Sequence, residues 1–394
     1  MTAVVSGAPT HAKWPRVELD DLCERKTGNC DPCERPDSEF TYIDISSVDN
    51  ARKEIVEARR ILGKDAPSRA RQIVFAKDVL VSTTRPNLNA VAVVPDEFDR
   101  QIASTGFCVL RPRSELDAGY LFAFVQSEAF VRKLSDLVQG SLYPAVSDQQ
   151  VRAQKIPLPP LAEQQRIAAR LREQLAAAET ARQAVAAQLA AALALPAAFT
   201  RDDTHDPTTV ERPLGEVLDE VTAGIGAAWR GQPVLGATRA GLAPAREGVG
   251  KLAHRYKPVT AGTVFYNPMR ILLGSIALVD EGDTPGITSP DYVAVRGREG
   301  VLHAVWFYAW FRSPAGAEFI KSLTRGAVRE RLLFNRVAPG RIPVPPWPRQ
   351  LATVARIRAA DQARRAFADR LEVLEKLPAA LLRAAFSPVN GAGA

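Results

Sequence analysis

Histidine and cysteine are scarce in this chain of 394 residues, with four of each. The four scattered histidines form no HExxH helix, ligand cluster or recognisable triad, which removes the common zinc hydrolases and the His-activated nucleophiles. Three cysteines, Cys23, Cys30 and Cys33, lie close together, and Cys30 and Cys33 have the spacing of half a zinc site. No second CxxC or HxxxH completes it, and His11 is the nearest histidine, so reduced thiols and no metal are expected. Gly248-Val249-Gly250-Lys251 lacks the upstream glycine and following hydroxyl of a phosphate-binding loop. Asn267-Pro268-Met269-Arg270 begins like the Asn-Pro-Pro-Tyr of amino-methyltransferases but has neither the second proline nor the aromatic residue. Neither Pro95-Asp96 nor Pro290-Asp291 is followed by the acidic-x-lysine of a nuclease. No catalytic residue is assigned on these grounds, and the chain reads as a recognition protein. Its apolar runs fall short of the roughly 20 residues that span a bilayer, and its N-terminus lacks the charged start and apolar block of a secretory signal. A cytoplasmic protein with no membrane partner is the expectation.

What the chain does have is a repeat. The stretch KIPLPPLAEQQRIAARLREQLAAAETARQAVAAQLAAALALPAAF runs from Lys155 to Phe199, and RIPVPPWPRQLATVARIRAADQARRAFADRLEVLEKLPAALLRAAF runs from Arg341 to Phe386. The two starts are 186 residues apart. In each, a basic residue and an apolar pair lead into a proline cluster, and proline, with φ fixed and no N-H, gives an extended entry from which a helix can begin. No glycine or proline then interrupts either copy until Pro196 and Pro378. Each predicts one long helix, about 35 residues and roughly 50 Å. Leu171, Leu175, Ala178, Val185, Leu189 and Ala192 fall at steps of three, four or seven, the period of a helix packed along another helix. Ile357, Phe367, Leu371 and Leu374 make a rougher stripe in the second, and the simplest way to bury both faces is against one another.

The duplication extends upstream. The order strand, polar loop, strand, helical element, glycine loop and proline cluster occurs twice; Ser127 pairs with Ser313 and Gly140 with Gly326 at the 186-residue offset, and Arg85 pairs with Arg270 one residue short of it. A short helix is expected before Gly63 in the arginine-rich stretch 51–74. The fold class is α+β: two α/β domains in tandem, separated and followed by long helices that pack as an antiparallel coiled coil with pseudo-twofold internal symmetry. The domain boundaries are 1–155, 156–200, 201–341 and 342–394. A net charge of +7, carried mostly by arginine, makes nucleic acid a reasonable partner.

Two proline clusters followed by long helices, with IPLPPLAEQQRIAARL, TYIDISSVDN, DVLVSTTR and YLFAFVQSEAF, resemble the specificity subunit of Type I restriction-modification enzymes over nearly the whole chain. The resemblance implies a non-catalytic subunit whose two target-recognition domains each read half of a bipartite site in double-stranded DNA. It also implies helices that set the gap and dock two methyltransferase subunits, with a restriction-translocase subunit joining them. S-adenosylmethionine, ATP and magnesium would belong to those partners, and none of them to this chain. A stand-alone DNA-binding regulator or anti-phage protein reusing the same modules is the alternative.

Base readout needs forked donors and amides on loops, while phosphate contacts need any cation or small hydroxyl. Thr83, Thr84, Arg85, Asn87 and Asn89 follow one strand, and Asn267 and Arg270 occupy the equivalent loop. Ser141 and Tyr143, with Arg325, Arg329, Arg331 and Asn335, lie around the equivalent glycines. These are the candidate DNA contacts. Pro160, Glu163, Gln164, Arg170, Pro346, Gln350 and Arg356, at the two helix starts, are the candidate partner contacts; Arg349 at the repeat position of Glu163 is the main departure between the copies.

Overall fold

The computed structural model describes residues 14–138, 140, 142, 144–324 and 331–386. Over these the chain divides into two compact units, residues 14–183 with 372–386, and residues 184–371. The division falls within both long helices, so each unit holds one α/β domain, the start of one helix and the end of the other.

Both units are closed by the same ribbon. Arg16–Glu18 pairs antiparallel with Lys155–Pro157 in the first, and Val210–Pro213 with Arg341–Val344 in the second. The apolar residue ahead of each proline cluster, Ile156 or Ile342, is fully buried by this pairing. At the heart of each unit a strand is sandwiched between two others: Val79–Ser82 between Phe107–Leu110 and Val91–Val93, and Thr263–Tyr266 between Val293–Gly297 and Ile276–Val279. Successive side chains on a strand point to opposite faces. Val79 and Val81 enter one core while Leu80 enters another, and Val264 and Tyr266 likewise part from Phe265. Cys108 follows this alternation into the same core as Cys23, and burial pushes both thiols up, Cys23 to about 12. All four cysteines are free, and the described residues hold no cluster of metal-ligating groups.

The apolar helical segments form helix pairs, Ala118–Val125 with Glu128–Asp136 and Ala304–Phe311 with Pro314–Leu323. The matched serines do the same work in both: Ser127 accepts from the Phe130 amide and Ser313 from the Gly316 amide, each capping the second helix of its pair. The helix expected before Gly63 is instead the strand Arg59–Leu62, paired with Glu39–Ile43 and held by a cross-strand Arg60–Glu39 ion pair at 2.6 Å. Gly63 itself is needed for close approach, since a Cβ there would sit 2.2 Å from the Arg35 carbonyl oxygen.

The long helices run from Leu161 to Thr204 and from Trp347 to Phe386, through Pro196 and Pro378. The first passes the expected end at 200 by four residues. Leu171, Ala178, Val185 and Ala192 are buried at a spacing of seven, with Leu175 and Leu189 half-buried between them. In the first unit Leu382 and Phe386 share a core with Ile167, Ala168 and Leu171. In the second, Arg349 and Arg356 meet Asp203 and Phe199. The start of each helix therefore lies beside the end of the other, and the two run antiparallel. One expectation from composition needs correcting: an 18-residue stretch of the Leu161–Thr204 helix has a mean hydropathy of 1.4, apolar enough to cross a membrane by length and composition. Its alanines are the reason, and Val185 and Ala192 are buried on the packing stripe.

Candidate nucleic-acid interface

The two sandwiched strands end in loops built to one plan. In the first unit Arg85 caps the single turn Pro86–Leu88, and Asn89 ends it; in the second Arg270 caps Ile271–Leu273, and Gly274 ends it. Each terminating residue is left-handed, with φ of 47° at Asn89 and 80° at Gly274. Arg85 is left-handed as well, at 48°, whereas Arg270 is relaxed at −122°. A left-handed non-glycine residue costs roughly 1 to 2 kcal/mol, and the first loop holds two of them. It is fastened on both sides: the Arg85 amide donates to the Pro144 carbonyl (2.8 Å), and Lys53 Nζ donates to the Asn89 carbonyl. Desolvation at that site draws the Lys53 amine down to about 8.

A hairpin forms the other wall of a cleft beside each loop. Val48–Asp49 with Glu54–Ile55 does so in the first unit, where Ser46, Asn50, Thr84, Arg85 and Leu88 line 320 Å³. Leu235–Thr238 with Gly241–Pro244 does so in the second, where the cleft holds 1220 Å³. That larger cleft is lined by Arg239, Arg246, Arg270 and Arg312, none of which makes an ion pair with a described residue, and among the described residues Glu247 is its one acidic wall residue. Arg312 is fixed in place, donating to the carbonyls of Ile276 (2.9 Å) and Arg239 (2.6 Å). Sequence reasoning missed Arg239, Arg246, Arg312 and Lys53. The first had a signal, since Arg239-Ala240 before Gly241, a residue at φ 112°, is a tight-turn pattern between two short apolar runs.

The remaining candidates divide. Arg85, Asn87 and Arg270 are exposed, and Thr84 and Asn267 are half-buried. Asn267 spends its side-chain oxygen on the Met269 amide at 3.0 Å. Thr83 is buried, with its hydroxyl and amide both donating to the Gly106 carbonyl at 2.9 Å, so it braces the loop and does not face outward. Asn89 is half-buried and reaches the Gln126 carbonyl. Arg331 is exposed but engaged by Asp291 at 3.0 Å, and Asn335 is exposed. Ser141, Tyr143, Arg325 and Arg329 lie outside the described residues.

Residues 11–186 match the family described as the Type I restriction modification DNA specificity domain. The whole chain is similar to the crystal structure of the HsdS subunit from Thermoanaerobacter tengcongensis, at 27% identity and a TM-score of 0.65, covering 95% of this chain and 96% of that one. It is also similar to a structure described as the basis of complex assembly and conformational transition of the Type I R-M system, at 26% identity and a TM-score of 0.72, covering 95% and 98%. The family match and these two likenesses support a Type I specificity subunit. The chain is a non-catalytic DNA-recognition subunit. No curated protein matches it by sequence.

In this specificity subunit the two helix starts repeat one device. Gln164 Oε1 accepts from the Asp117 amide (2.9 Å), and its Nε2 donates to the carbonyls of Glu115 and Pro159 (both 2.9 Å). Gln350, 186 residues on, accepts from the His303 amide (2.8 Å) and donates to Val301 (2.8 Å) and Pro345 (2.7 Å). Both glutamines are fully buried, so their place among partner contacts is corrected: they lock each helix to its own domain. Pro160, Arg170, Pro346 and Arg356 are exposed, with Arg356 lying over the Phe199 ring at 3.9 Å. Glu163 is half-buried and paired with Arg166 at 2.7 Å. Arg349, at its repeat position, turns instead to Asp203 at 2.8 Å and to Asp206.

Proposed function

We propose that each unit of the subunit reads one half of a bipartite site in double-stranded DNA, and that Arg85 and Arg270 stand at the centre of the two reading loops. The long helices set the gap between half-sites and dock two methyltransferase subunits through their exposed starts, with Pro160, Glu163, Arg170, Pro346 and Arg356 in reach; a restriction-translocase subunit joins them. S-adenosylmethionine, ATP and magnesium act on those partners, and the assembly works in the cytoplasm. One observation carries this reading: two domains with matching central strands present the same strand, arginine and single-turn loop, with different side chains around it. Equal scaffolds with unequal loops are what two independent readouts require, since base edges are discriminated by side-chain donors and acceptors. Helices of 44 and 40 residues without a break support the spacing role.

The test is a domain exchange. Replacing residues 201–340 with those of another specificity subunit is expected to change one half of the methylated sequence and leave the other unchanged, as read by methylome sequencing. A change in both halves, or in neither, overturns the reading.

A further inference from the structure

The second reading loop carries a feature that base hydrogen bonding does not use. Met269, Leu272 and Leu273 are 64%, 50% and 70% exposed. Single exposed apolar residues are ordinary on protein surfaces. Three in one loop, at a cleft also lined by Arg239, Arg246 and Arg270, none of which forms an ion pair with a described residue, are not. The turn is also rigid. Ile271 is buried beneath it, the Leu273 amide donates to the Arg270 carbonyl (3.0 Å), the Asn267 amide donates to the Ser275 carbonyl (3.1 Å), and Ser275 Oγ donates to Ala237 in the facing hairpin (2.6 Å). In the first unit the matching turn exposes Leu88 alone, at 47%, and the cleft beside it has Arg85 as its one cation.

We propose that Met269, Leu272 and Leu273 form an apolar wedge that enters the base stack of the DNA at the second half-site, while Arg239, Arg246 and Arg270 hold the flanking phosphates. The proposal rests on the DNA-recognition reading and adds to it a mode of contact. Leucine and methionine pushed between base steps unstack them and bend the duplex, and guanidiniums on either side offset the charge of phosphates brought together by the bend. Charge complementarity names the occupant: a polyanion with an apolar interior suits apolar tips beside guanidiniums that pair with no described carboxylate, whereas an apolar protein face would desolvate those cations without neutralising them. Sequence preference at the second half-site would then depend partly on how easily a step opens, with pyrimidine–purine steps favoured.

The experiment uses the full chain assembled with its methyltransferase subunits, and duplexes carrying the methylome-defined site with 2-aminopurine at successive positions other than the methylated adenine. The expected result is a several-fold rise in fluorescence at one step of the second half-site, lost in the Leu272→Ala/Leu273→Ala double variant. The Arg239→Ala/Arg246→Ala variant should weaken binding on all sequences and lower its salt dependence, yet keep the rise at saturating protein. Intact binding with no rise at any position overturns the wedge and leaves the recognition reading standing. A loss of affinity on replacing thymine by uracil, with no rise, overturns it in favour of methyl-group contacts. Absence of salt-dependent DNA binding by the assembled complex would sink the recognition reading itself. Circular dichroism of both variants separates a lost wedge from a lost fold.

Discussion

The two units solve the same anchoring problem with different chemistry. In the first, the end of the Trp347–Phe386 helix is held by an aromatic cluster: Phe386 lies 5.3 Å from Tyr120 and 5.5 Å from Phe124, ring centre to ring centre. In the second, the end of the Leu161–Thr204 helix is held by a buried carboxylate. Asp203 accepts from Trp306 Nε1 (2.8 Å) and from Arg349 Nε (2.8 Å). Tyr120 and Trp306 occupy the same repeat position, 186 residues apart, and each faces the arriving helix end. What persists between the units is the place at which a helix is fastened, together with the glutamine lock at the opposite end. The type of bond is free to vary. The loops at Arg85 and Arg270 follow the same rule, with the turn retained and the side chains replaced.

The largest effects should come from cutting these anchors. Phe386→Ala removes a buried aromatic side chain and should cost about 3 to 5 kcal/mol, while Asp203→Ala strands Trp306 and Arg349 and should cost about 2 to 3 kcal/mol; the half-exposed guanidinium of Arg349 can rehydrate, which keeps the second figure lower. Hydrogen exchange resolved along the chain is the readout, because a protein of two units has no single unfolding free energy. Phe386→Ala should loosen Val79–Ser82 and spare Thr263–Tyr266, and Asp203→Ala should do the reverse. Equal loosening of both strands by either variant would break the comparison.

The glutamine locks should give a smaller and matched pair of effects. Gln164→Ala and Gln350→Ala each leave an amide and two carbonyls without their partner, which should cost about 1 to 3 kcal/mol apiece. Near-equal losses of exchange protection in the two helix starts would sharpen the equivalence. A silent variant at one position would show that water replaces the side chain there.

The smallest effect is a pH dependence confined to the first unit. Glu128 receives hydrogen bonds from Arg383 on the long helix and then from Arg132, and these hold its carboxyl below the ordinary 4.5. A folded value below the unfolded one means that the contribution is complete above about 4.5 and is lost as the pH falls through the folded value. The pair is exposed and screened by solvent, so wild type and Glu128→Gln should differ slightly in thermal midpoint at pH 7 and converge as the pH falls below 4.5 through the folded value. A difference that grows on acidification would refute the assignment.

By itself the sequence determined the duplication, the two long helices, the central strands and the positions of the loops at Arg85 and Arg270. Those features depend on local periodicity, proline clusters and a repeat offset, all of which are carried by residues close together along the chain. The matched serines at 127 and 313 were legible for the same reason, since a cap acts on an amide three residues away. Only the tertiary structure decided which loop residues face outward. Thr83 and Gln164 have surface chemistry, but each is buried by hydrogen bonds to segments 23 to 49 residues away. The large cleft was equally illegible, because Arg239, Arg246, Arg270 and Arg312 come together only when the Leu235–Pro244 hairpin folds over the strand at Ile276–Val279. A side chain's neighbours along the chain set its backbone, whereas its exposure and its charge partners are set by segments that the fold brings from far away.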